Sequence, residues 1–226
     1  MTKTKTTRPF AALARRAALA ACAALVACGS LYYATMEKFG YQKRDLLVER
    51  VQDAREAQGE AKEQIQTTFD AFKGLTGFQG GELESRYKQF KSLYERSADR
   101  ANDVDKRIAS VESVSQAMFE EWGQEIGQIS NPNLRGKSEQ MKRDTEQRYG
   151  ELMTTMQAAA QRMRPVLTAF SDQVLFLKHN LNAAAISSLE SESSKIQADV
   201  ASLVAEMQRS IDEADKFIAS LPSSSN

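Results

Sequence analysis

The sequence predicts an all-α protein, an elongated antiparallel bundle of long, coiled-coil-like helices. Two observations carry this. Apolar residues recur at spacings of three and four along nearly the whole chain after residue 44, which is the period of a helix with one buried face. Glycine and proline, the residues that break helices, are confined to a few places, and two of these, GLTGFQGG at 74–81 and SNPN at 130–133, divide the pattern.

The first element is not part of the bundle. Residues 1 to 16 carry Lys3, Lys5, Arg8, Arg15 and Arg16 and no acid, and residues 17 to 27, AALAACAALVA, carry no charge. A basic stretch, an apolar stretch and then small residues form the layout of a secretory leader. The apolar run is too short to cross a hydrocarbon core of ~30 Å as a helix. Leu25, Val26, Ala27 and Cys28 resemble the lipobox of bacterial lipoproteins, in which the cysteine thiol is acylated after the leader is cut away. Acyl chains contribute ~0.8 kcal/mol per buried CH2, so several together anchor a protein stably. Leu19-Ala20-Ala21-Cys22 fits the same pattern, but only five residues separate Arg16 from Cys22, a cramped apolar run. The expected organisation is therefore a signal peptide at 1–27, a lipidated N-terminus and tether at 28–35, one helical domain at 36–221 and a tail at 222–226.

Cutting the leader changes the charge. The whole chain has 30 basic and 30 acidic residues; losing the leader's five bases leaves 25 against 30, a net charge of −5. A mildly acidic body offers no basic footprint for nucleic acid. The two cysteines are accounted for by the leader and the lipid. No disulfide framework, thiolate metal site or cysteine nucleophile is expected.

The helices follow in order. In the first, Leu47, Val51, Ala54, Ala61, Ile65, Phe69 and Phe72 form one stripe. GLTGFQGG at 74–81 ends it. In the second, the stripe is Leu83, Tyr87, Phe90, Tyr94, Ala101, Val104, Ile108, Val111, Met118 and Trp122. SNPN at 130–133 is the next stop: Asn131 suits an N-cap, with Pro132 at the first helical position, where its missing N–H costs nothing. The third stripe is Leu152, Met156, Ala159, Met163, Val166, Phe170, Val174 and Leu177, with a kink expected at Pro165. Lys178-His179-Asn180-Leu181-Asn182 reads as a helix end followed by a new cap, Asn tolerating a left-handed C′ conformation. The last stripe is Leu189, Ile196, Val200, Leu203, Met207, Ile211, Ala214 and Ile218. With a break near Asn180 there are four helices of about 40 to 48 residues, each ~60 to 70 Å long; without it there are three. Short turns between them favour antiparallel neighbours.

Charges suit the outer faces. Glu82–Arg86, Glu84–Lys88, Asp103–Arg107, Glu139–Arg143, Asp144–Arg148 and Asp212–Lys216 are acid-to-base pairs one turn apart, each contributing a few tenths of a kcal/mol. A homo-oligomer would relieve the thinness of such a bundle, and the stripes leave that open.

Residues for chemistry are scarce. His179 is the only histidine and sits beside a turn, where a capping or surface role suits it; one His cannot serve both a triad and a metal site. Glu120 and Glu121 are adjacent and point to different helix faces. Phosphate-loop, dinucleotide, zinc-protease and nucleophile-elbow motifs do not occur. Trp122 and the methionines Met118, Met141, Met153, Met156, Met163 and Met207 are expected as core packing; a docking role for them is the sharper reading. No catalytic residue, cofactor or metal is expected, and the chain reads as a non-enzyme.

The segments LYYATMEKFGYQKRDLLVERVQDAREAQGEAKEQ from Leu31 and VLFLKHNLNAAAISSLE from Val174 resemble the signature stretches of an uncharacterised lipoprotein family of Gram-negative bacteria, of the domain-of-unknown-function 2959 type. The resemblance covers nearly the whole mature chain. It implies a helical periplasmic protein and assigns no activity. Gly29 follows the cysteine where, in well-studied lipoproteins, an Asp signals inner-membrane retention, so the resemblance implies the outer membrane.

Function is then read as a lipid-anchored periplasmic helical protein, a structural or adaptor module of the cell envelope. The alternative is an envelope enzyme or small-ligand carrier with a polar site inside the bundle, for which Arg86, Asp99 and Arg164 are the candidates. The expected partners are a membrane, through the N-terminal lipid, and an envelope protein. Its docking site is expected at the bundle tip, where Phe78, Phe176 and His179 would be presented together.

Overall fold

The computed structural model describes residues 43–76 and 82–221. Cys28, the expected lipobox residues Leu25, Val26 and Ala27, and Phe78 lie outside the described residues. From Leu46 onward the chain forms one compact unit. The described residues form four helices: α1 (Lys43–Lys73), α2 (Leu83–Gln128), α3 (Pro132–His179) and α4 (Ala183–Ser220). All the described secondary structure is helical. At 1.5 Å per residue, α2 and α3 are each ~70 Å long.

Cross-helix bonds set the topology. From α1 to α2, Asp53 meets Arg107 at 3.1 Å, Glu60 meets Arg100 at 2.5 Å and Gln64 meets the Leu93 carbonyl at 3.2 Å. Numbers that rise along one helix fall along the other, so the two are antiparallel. In the same way Glu112 and Gln157 join α2 to α3 at 2.6 Å, and Arg162 and Ser202 join α3 to α4 at 3.0 Å. Lys62 bonds Gln208 at 2.7 Å and closes α4 back onto α1. Each helix thus lies beside two neighbours, in the up-down-up-down arrangement.

The stripes of α1 and α3 are buried at every position the sequence marks. Full burial of a large apolar side chain stabilises by ~1.5–3 kcal/mol, so this interior is what holds the helices together. In α2, Leu83, Tyr94 and Trp122 are only half-buried. In α4 the last turns differ from expectation. Ser210 and Phe217 are buried, at 0% and 2% exposure, while Ile211 and Ile218 are half-buried. The series Met207, Ser210, Ala214, Phe217 keeps helical spacing as well as the apolar series does. A polar residue can occupy it because its hydroxyl donates to Gln58 Oε1 at 2.8 Å.

Among the described residues, every polar side chain in the interior is neutral: Gln58, Thr68, Ser97, Ser115, Thr145 and Ser210. Ser115 and Thr145 donate to carbonyls of their own helices, those of Glu112 and Met141, and the other four form two layers across helices. In one, Gln58 of α1 accepts from Ser210 of α4 and donates to the Met156 carbonyl of α3 at 3.4 Å. In the other, Thr68 of α1 and Ser97 of α2 share a hydrogen bond of 2.8 Å, and the Thr68 hydroxyl also lies 3.1 Å from the Leu93 carbonyl. Buried polar groups left unpaired cost far more than paired ones, so these layers hold α1 in one axial register.

The helix ends are built largely as the sequence suggests. Asn131 Oδ1 accepts from the N–H groups of Asn133 and Leu134 at 2.9 and 3.3 Å, with Pro132 at the first position. Asn182 Oδ1 accepts from the Ala185 N–H at 2.9 Å, so the break near Asn180 is real and there are four helices. Asn180 departs from expectation. Its φ is −130°, outside the left-handed region, and its side-chain Nδ2 donates to the Phe176 carbonyl at 2.9 Å. The amide therefore caps α3 without the strained backbone. Asn182→Ala should cost about 1 kcal/mol, the usual worth of an N-cap. A urea midpoint unchanged from wild type would show that packing alone starts α4.

α3 runs unbroken through Pro165, which is exposed, so the carbonyl left without an N–H partner is on the solvent side. Of the six expected helix-surface ion pairs, Glu84–Lys88, Asp103–Arg107 and Glu139–Arg143 are present. Lys216 turns instead to Glu213, while Asp212 accepts from Gln208 and Asp144 from Gln140. Acceptors and donors one turn away on the same face compete, and each pairing is worth too little to exclude the others.

Candidate functional site

The end of the bundle where α1 stops and α2 starts is also where α3 stops and α4 starts. Phe72, Phe90 and Phe170 bring the first three of these together. The Phe72 and Phe90 rings are 5.6 Å apart, and Phe90 and Phe170 meet edge to face at 6.0 Å. Leu75, just past α1, is fully buried. Beyond these rings, the last turn of α3 presents what the core does not use.

Phe176 is 40% exposed and its neighbour Leu175 59%. His179, three residues on, is also exposed. The two tip residues within the described chain are therefore at the surface, one turn apart at the end of α3. Leu175 was not singled out by the sequence. Its signal is that Val174 and Leu177 already complete the stripe, which leaves both residues between them off the buried face. The Phe176 carbonyl is held by Asn180, so this last turn is a capped one.

The inward polar cluster considered for a ligand does not form. Arg86, Asp99 and Arg164 are all exposed, and Arg164 pairs with Asp105 at 3.8 Å on the outside of the α2–α3 seam. Charged side chains on these faces gain more from water than from the interior, which has no opposite charge to offer. That seam holds an open groove of about 370 Å3, with Ala101, Ala160 and Met163 along it and Tyr94 and Asp172 among its polar lining. Among the described residues, no group of three His, Cys, Asp or Glu side chains could hold a metal ion.

At the other end of α2, Trp122 is half-buried, and its indole N–H donates to Ser138 Oγ at 3.0 Å. This pins α2 to α3 just before their turn. Phe119 and Tyr149 pack edge to face at 5.6 Å, Tyr149 lies 6.4 Å from Phe217, and the Lys142 ammonium sits 5.7 Å over the Phe119 ring. Burial raises the Tyr149 hydroxyl above its ordinary pKa; its hydrogen bond to Ser115 acts the other way, and the Glu112 carboxylate adds to the rise. This cluster ties α2, α3 and α4 together. Met141 corrects the expectation of a core methionine: it is 53% exposed, as is Leu134 at 56%, whereas Met118, Met153, Met156, Met163 and Met207 are buried. Among the described residues, no helix is long and apolar enough to cross a membrane.

A family model described as Protein of unknown function (DUF2959) matches residues 32–221. The chain belongs to that family. The matched span of this DUF2959 protein takes in all four helices, both buried polar layers, and Phe176 and His179; Cys28 precedes it. No curated protein matches the chain.

Proposed function

We propose that this DUF2959 protein is a lipid-anchored helical protein of the periplasm, held at the outer membrane, that serves the cell envelope as a structural or adaptor module and not as an enzyme. The observation that carries the proposal is Leu25-Val26-Ala27-Cys28 at the end of an uncharged run that follows five bases and no acid. The bundle supports an adaptor role in one respect. Its last α3 turn leaves Leu175, Phe176 and His179 in solvent while the stripe beside them is buried. In this reading the docking end is the one shared by the end of α1 and the end of α3. Phe78 and Phe176 then meet an envelope protein there.

Labelling cells with a fatty-acid analogue tests the anchor. Wild type and Cys22→Ala should be labelled and Cys28→Ala should not; the reverse pattern moves the acylated cysteine six residues upstream. Recovery of the labelled protein only with inner-membrane vesicles would overturn the outer-membrane assignment. For the docking end, Phe176→Ala and Phe78→Ala should each reduce crosslinking to the envelope partner in intact cells. Phe176→Ala should leave helicity and thermal midpoint nearly unchanged, since the ring is already 40% exposed. Undiminished crosslinking in both variants would remove the tip as the docking site.

A further inference from the structure

We draw no further inference here: the strongest candidate, the exposed apolar row of Leu134 and Met141 on α3 beside the α2–α3 turn, carries none because nothing in the structure shows what covers it.

Discussion

Phe170→Ala should destabilise the protein by about 3–5 kcal/mol, the range for removing a buried phenylalanine when its surroundings cannot close the gap. The ring is fully buried and meets Phe90 edge to face at 6.0 Å, and Phe90 in turn meets Phe72 at 5.6 Å. Removing it breaks a row that joins α1, α2 and α3. Rigid helices on three sides leave little room for collapse, so most of the cavity should persist. Against a total of about 5–15 kcal/mol for a typical domain, this is a large share. Urea unfolding followed by far-UV circular dichroism should show a much lower midpoint with an unchanged slope. Phe176→Ala, on the same helix and only six residues away, should shift the free energy by no more than about 0.5 kcal/mol. A loss below about 1 kcal/mol for Phe170→Ala would mean that these rings are not a packed layer.

The contrast between these phenylalanines shows what periodicity can reveal. Phe170 keeps step with Val166 and Val174, so its burial is legible from spacing alone. Phe176 falls out of step with Val174 and Leu177, and its exposure is legible by the same argument. Every apolar position that the stripe marks in α1 and α3 is buried. Periodicity fails where the interior accepts a polar residue. Ser210 and Gln58 look like surface positions because their partners lie 152 residues apart in the chain. No local pattern encodes a hydrogen bond of that reach. Passing over Ser210 shifts the reading of α4 to Ile211 and Ile218, which hides Phe217 in turn.

Caps and surface charges divide in the same way. Asn131 and Asn182 act within three residues of themselves, so their roles follow from the residue type. Asn180 was expected to use its backbone and uses its side chain, a choice between two ways of satisfying one carbonyl that residue identity does not decide. Met141 and Leu134 are apolar yet exposed, because helical spacing alone does not say where neighbouring helices cease to cover a face. For the candidate site, Phe176 and His179 are found where the sequence puts them, at the surface beside the α3–α4 turn. The polar cluster of Arg86, Asp99 and Arg164 fails because all three side chains, two on α2 and one on α3, reach solvent, a result set by helix rotation and not by composition.

The layer that misled the stripe in α4 should also show strong coupling between its members. Ser210→Ala removes the donor to Gln58 Oε1 and leaves that oxygen buried without a partner, which should cost about 1–3 kcal/mol. Gln58→Leu keeps the volume roughly constant but leaves the Ser210 hydroxyl without its acceptor, and should cost a similar amount. The double variant removes both needs together and places an apolar pair between α1 and α4. Its loss should therefore fall short of the sum of the single losses by about 1 kcal/mol or more, beyond the scatter expected of independent sites. Part of the Gln58→Leu cost will remain, since the longer 3.4 Å bond to the Met156 carbonyl of α3 is lost in both backgrounds. Urea unfolding of the four proteins completes the cycle. Simple additivity would mean that water or another backbone carbonyl satisfies each group separately, and that this layer does not hold the register of α1.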